Sequence, residues 1–154
     1  MAHKLSKSSQ RQYMLLYEDG QLVIDWALKL LRVDFGISQT FRTFEKQLEY
    51  YLDGKSNIDP RRPEHLKKSK HMKKPAEAWD FFAWIPGFRS LSFDKFHLIY
   101  LGSGFVMIGE FLYREGLITH KVRWGGNWDM DGHIIYDQRL RDLCHCELYK
   151  PSRY

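Results

Sequence analysis

Cysteine is scarce in this sequence: Cys144 and Cys146 are the only two among 154 residues, and a single residue separates them. A pair that close staples nothing, which excludes a scaffold built on disulfides. Long apolar runs are missing too, since no stretch approaches the roughly 18 consecutive apolar residues of a membrane-spanning helix. The N-terminal Met1-Ala2-His3-Lys4-Leu5-Ser6-Lys7 is basic but leads into polar residues, so it lacks the apolar centre of a signal peptide. Together these absences predict a protein made and kept in the cytoplasm. Acidic residues are in deficit, 19 Asp and Glu against 24 Lys and Arg, leaving a net charge of +5. That balance favours an anionic partner: nucleic acid, a membrane surface or an acidic cell wall.

What the sequence does hold is aromatic and apolar mass. Ten Phe, nine Tyr and five Trp in a chain that is 44% hydrophobic exclude a disordered or collagen-like polymer. The length suits one domain over 1–154, with a core that needs no staples. Residues 1–12 read as a loose basic tail. Leu22, Val23, Trp26, Ala27, Leu30 and Leu31 form one stripe of an amphipathic helix. Phe44 to Leu52 reads as a second helix, ended by Gly54. Residues 55–75 carry three prolines, with seven Lys and Arg between Arg61 and Lys74, and read as a positive loop. Ala78 to Trp84 alternates as a strand, placing Ala78, Asp80, Phe82 and Trp84 on one face. Phe93 to Glu115 reads as a long helix, weakened in the middle by Gly102, Ser103 and Gly104. Val122 to Trp124 and Cys144 to Tyr149 read as short strands, the first ending at a Gly125-Gly126 turn. On the second, His145 and Glu147 face one way and the cysteines the other. Helices followed by strands mixed with a helix predict an α+β fold.

Of the seven histidines, most need no special role. His3 lies in the tail, His97 in the long helix, and His65, His120 and His133 in polar segments where solvation is expected. His71 and His145 differ, because each has a carboxylate at a suggestive spacing. Asp80 sits among Trp79, Phe81 and Phe82, where an unpaired carboxylate is costly, so it calls for a cation. Asp142 precedes His145 by three residues, at the entrance of the strand. Two histidines and one carboxylate can make an open zinc site whose fourth position is left to water. Spacing alone also allows a plainer arrangement in which Asp80 pairs with Arg89 or Arg42 and His145 is a satisfied core residue.

Taken in order, these segments resemble a known family. Ser69-x-His71 leading to Ala78-x-Asp80, then Trp124-Gly125-Gly126-Asn127-Trp128, then Asp142-x-x-His145-x-Glu147, is similar to the zinc peptidases that cut peptidoglycan stem peptides. Within them the nearest type is the phage endolysin, the L-alanyl-D-glutamate peptidases. An upstream block agrees: Asp34-Phe35-Gly36-Ile37, Phe41-Arg42-Thr43-Phe44-Glu45-x-Gln47 and Tyr51-Leu52-x-Gly54-Lys55. The resemblance implies a small Hedgehog/DD-peptidase-like domain, with helices packed on an antiparallel sheet. It implies a Zn2+ cofactor held by His71, Asp80 and His145, with Asp142 as general base and Arg42 holding a substrate carbonyl or carboxylate. Ser69, Glu147 and Trp128 are implied to line the substrate or support the ligands. The His71–Asp80 spacing exceeds the family's usual one by two residues, which leaves His65 as the alternative ligand.

The implied substrate is bacterial peptidoglycan, cut at L-Ala–D-Glu, or at the terminal D-Ala–D-Ala bond as in related carboxypeptidases. An endolysin would wait in the host cytoplasm until a membrane pore admits it to the wall. The basic loop at 61–74 could then meet anionic wall polymers, and nothing demands more than a monomer. The rival from another class is a basic, aromatic-rich nucleic-acid-binding protein with a structural zinc. Against it, the 61–74 cluster is broken by proline and short of aromatics.

Overall fold

The structure, a computed structural model, describes residues 2–88, 90–131, 133 and 141–152. Its helices are α1 (Lys7–Met14), α2 (Glu18–Leu30), α3 (Phe44–Leu52), α4 (Pro63–Leu66) and α5 (Lys95–Arg114). Its strands are β1 (Asp34–Gln39), β2 (Ala78–Ile85), β3 (Ser90–Ser92), β4 (Lys121–Gly125) and β5 (Asp142–Tyr149). All strand pairs are antiparallel, in the order β1-β2-β5-β4, with β3 beside the second half of β2. The fold is α+β, as the sequence predicts.

Alternation on the strands sorts the two faces of the sheet. Trp79, Phe81 and Ala83 of β2, Val122 and Trp124 of β4, and Cys146 and Leu148 of β5 are all buried in the core. Phe105 of α5 meets Phe35, Trp79 and Phe81 edge-on, with centroids 5.1, 5.8 and 4.9 Å away. Burying such side chains contributes about 1.5–3 kcal/mol each. Val23, Ile24 and Ala27 of α2 complete the layer. The glycines of α5 act as contact surface: a Cβ on Gly102 would collide with the Trp124 indole, so the bare backbone lets the helix lie on β4. α5 is long and apolar enough to cross a membrane by length and composition, yet its Leu98, Leu101, Phe105 and Leu112 are buried in this core. The opposite face of the sheet keeps its polar side chains, among them Asp80, Arg123, His145 and Glu147.

Local chemistry fixes the helix ends. Ser6 caps α1 by accepting from the Ser9 N–H, Thr43 caps α3 from Lys46, and Asp94 caps α5 from Phe96. The Asp94 cap starts the long helix at Lys95, two residues after Phe93. Gly54, at φ 73°, follows the end of α3 as expected.

Three expectations need correction. The segment expected as a loose tail is largely ordered: α1 spans Lys7–Met14, and the Ser9 hydroxyl accepts the Ile37 N–H of β1 at 2.9 Å. His120 is buried, not solvated, because its ring and N–H both bond Asp19 at the start of α2, at 2.7 and 3.0 Å. The 55–75 segment is no plain loop either, since α4 and a single 3-10 turn at Lys70–Met72 shape it. Arg89, offered as a partner for Asp80, lies outside the described residues.

Candidate metal centre

The polar face of the sheet gathers the candidate residues. Asp80 and His145 are direct cross-strand partners on β2 and β5, which sets their side chains next to each other. The Asp80 Oδ1–His145 Nδ1 distance is 3.0 Å. His71 comes from the 3-10 turn, and its Nε2 lies 3.3 Å from the same Asp80 oxygen and 3.2 Å from His145 Nδ1. His71 is held there from two sides: its own carbonyl accepts the Arg42 N–H at 2.8 Å, and its Nδ1 bonds the Thr40 carbonyl at 2.6 Å.

Those outer bonds decide what the inner atoms can do. A carbonyl only accepts, so His71 Nδ1 carries the proton and Nε2 presents a lone pair. His145 Nε2 donates to the Glu147 carboxylate at 3.1 Å, which leaves Nδ1 as the nitrogen that can give up its proton to a metal. Two imidazole nitrogens and a carboxylate oxygen thus converge on one place, where a bound cation would replace the proton shared between His145 Nδ1 and Asp80. The three atoms lie 3.0–3.3 Å apart, near the edge of about 3.3 Å for a tetrahedron built on zinc–ligand bonds of about 2.05 Å. The donor set, imidazole with a single carboxylate, suits zinc rather than calcium or magnesium. Among the described residues this is the one cluster of His, Cys, Asp and Glu that could hold a metal ion.

Charge in the cluster follows the same logic. Burial alone would raise the Asp80 carboxyl, but His71 and His145 reverse this and hold it well below the usual carboxylate range. Burial would likewise lower His145, and hydrogen bonds to Asp80 and Glu147 more than undo that, so its value lies well above the ordinary one. Both shifts describe a carboxylate and imidazoles that stabilise one another's charge.

A cleft of about 600 Å³ opens over this centre, lined by Arg42, Ser69, Asp142 and Trp128 among others. Asp142 reaches it through an irregularity in β5. Between the Trp124–Cys146 and Gly125–Asp142 pairs, β4 advances one residue while β5 advances four. Strict alternation would have put Asp142 and His145 on opposite faces, and the bulge re-aims Asp142. The Cys144 thiol lies 3.4 Å from Asp142 Oδ1, yet Cys144 packs against the core and does not line the cleft, and Cys146 is buried in the core. Burial, then Asp142 and Asp80, push the Cys144 thiol up to about 12, which keeps it protonated.

Arg42 stands 3.8 Å from Asp80 Oδ2, so the ion pair foreseen as the plainer alternative exists alongside the histidine cluster. Its guanidinium is clamped by Gln39, by Gln47 at 2.9 Å, and by the face of Tyr50 at 4.6 Å. Ser69 is buried beside the His71 turn, and the Trp128 ring lies 5.5 Å from that of His145. His65, the alternative ligand, is elsewhere: its Nδ1 accepts the Asp59 N–H at 3.1 Å on α4. Sequence reasoning missed Thr40, Gln39, Tyr50 and Arg123. Of these, only the strand pattern of Asp34–Gln39 carried a usable signal.

Fold and centre together define a class. The chain shares its architecture with the L-Ala D-Glu endopeptidase ChiX of Serratia marcescens, at a TM-score of 0.70 and 21% identity, over 96% of this chain and 91% of that one. At that identity the likeness establishes the fold. No curated protein matches the sequence. Residues 1–149 match the phage L-alanyl-D-glutamate peptidases, and the chain belongs to that family. It is therefore a peptidase of the peptidoglycan-cleaving kind, and the nucleic-acid-binding alternative is left without support.

Proposed function

We propose that the protein is a zinc-dependent peptidase that cuts the L-Ala–D-Glu bond of peptidoglycan stem peptides when a phage lyses its host. The observation that carries the zinc is the convergence of His71 Nε2, His145 Nδ1 and Asp80 Oδ1, the atoms left to face a metal once the outer hydrogen bonds are assigned. Bound there, zinc supplies Lewis acidity toward a carbonyl and lowers the pKa of water toward 7. Asp142, at the cleft wall, accepts the proton of the attacking water and returns it to the leaving amine. Arg42, fixed by Gln39, Gln47 and Tyr50, orients a substrate carbonyl or carboxylate without losing side-chain freedom on binding. Trp128 covers the His145 ring and restricts water on that side.

Within the basic segment, Arg61, Arg62 and Lys70 are ion-paired to Asp59, Glu64 and Glu77. Steering toward anionic wall polymers then falls chiefly to Lys67, Lys68, Lys73 and Lys74. The enzyme acts as a monomer and waits in the host cytoplasm until it is released to the wall. The test is digestion of purified peptidoglycan with and without a chelator, read by fragment mass. Fragments with new D-Glu amino ends, lost on chelation and restored by zinc, support the reading. Released single alanines would replace it with a carboxypeptidase.

A further inference from the structure

Behind His145 stands a second pair of charges. Glu147 bridges with both oxygens: Oε2 takes the His145 Nε2–H at 3.1 Å, and Oε1 takes the Arg123 guanidinium. Arg123 and Glu147 are direct cross-strand partners on β4 and β5, so the sheet register fixes the contact. The guanidinium also lies between two rings, 5.6 Å from the Trp128 centroid and 5.7 Å from that of Tyr149. These rings leave it few alternative rotamers. The Glu147 side chain is 10% exposed, so its orientation is set by protein partners more than by water.

We propose that Arg123 is a positioning residue for the metal centre, acting through Glu147 on the orientation and tautomer of His145. This rests on the zinc reading above. A carboxylate hydrogen-bonded to a ligating imidazole sets which nitrogen is free and where it points, and losing such a partner costs about 10–100-fold in metal affinity. Here the carboxylate is itself free to rotate about its last bond unless its other oxygen is held, and Arg123 holds it. The competing possibility is a plain ion pair that ties β4 to β5 and does nothing for the metal.

Zinc affinity, measured by competition with a chromophoric chelator, separates the two when read beside the melting temperature and kcat/KM. Arg123→Ala should bind zinc about 10-fold more weakly or worse, and Glu147→Ala at least as weakly. The double variant should bind no more weakly than Glu147→Ala alone, because the arginine acts only through the glutamate. Arg123→Lys keeps the charge but not the planar fork, and should lose about 2- to 10-fold. It carries the test if Arg123→Ala does not fold. A lower melting temperature with wild-type zinc affinity in the arginine variants would overturn the proposal and leave the zinc reading intact. Wild-type protein that binds no zinc would overturn both.

Discussion

Asp19 offers a direct test of how the fold holds its catalytic sheet. One of its oxygens, Oδ2, accepts from Thr119 N (2.9 Å), Thr119 Oγ1 (3.1 Å), His120 N (3.0 Å) and His120 Nδ1 (2.7 Å). These bonds tie the first turn of α2 to the residues that lead into β4. In Asp19→Ala, Thr119 is exposed and can turn to water, but the buried His120 N–H loses its acceptor and the ring keeps only the longer Thr119 Oγ1 contact at 3.2 Å. A buried donor left unmade costs about 1–3 kcal/mol and the weakened ring contact adds to it, so the variant should lose about 2–4 kcal/mol. At about 2–4 °C per kcal/mol for a domain of this size, the melting temperature should fall by about 5–15 °C. The effect should depend on pH with a definite sign. Burial alone would raise the Asp19 carboxyl, but the hydrogen bonds from His120 and Thr119 outweigh it and hold the value below the ordinary one. Its contribution is then fully present above the unfolded pKa of about 3.9 and is lost as pH falls through the folded value. Urea titrations of both proteins should show a constant gap from about pH 5 to pH 8 that narrows below about pH 4. A gap under about 1 kcal/mol at neutral pH, or one that widens in acid, would refute the reasoning.

Other consequences concern the centre and the helix that backs it. Asp142→Asn keeps shape and the contact with Cys144 but accepts no proton, so zinc content should stay and turnover fall about 100-fold or more; near-normal lysis of cell walls, or loss of zinc, would contradict the role. His71→Ala should lose most of its zinc by metal analysis, whereas His65→Ala should keep it, because His65 serves Asp59 on α4. Gly102→Ala drives a methyl into the Trp124 indole, whose Nε1 donates to the Leu143 carbonyl at 2.8 Å. The cost should be about 1–3 kcal/mol in denaturant titration, and a stability equal to wild type would show that α5 can lift off β4 freely.

Much of this arrangement is legible in residue types, and the unreadable parts share one cause. The alternation of Ala78–Trp84 and Cys144–Tyr149 marks both ligand-bearing strands, since period-2 patterning survives wherever one face is buried. Asp80 and His145 follow from that pattern. The support of His71 does not, because the Thr40 group that fixes it is a backbone carbonyl with no residue-type signature. α1 looked like a tail because Ser, Gln and Arg dominate it; what orders it is the Ser9–Ile37 bond across 28 residues. His120 looked solvated in Thr-His-Lys because its partner, Asp19, lies 101 positions away. Asp142 shares a cleft with His145 only through a bulge, which breaks the alternation that made the strand readable. Local pattern gives the elements, and contacts made across the chain set the details of the centre.

The central claim is that three particular atoms bind zinc. Crystals of the zinc-loaded protein, measured on both sides of the zinc absorption edge, test it most directly. The account predicts a single strong anomalous peak ligated by His71 Nε2, His145 Nδ1 and an Asp80 oxygen, with His145 Nε2 still bonded to Glu147. A peak at any other residues, ligation through His145 Nε2, or no peak at all in protein that still digests peptidoglycan would contradict it.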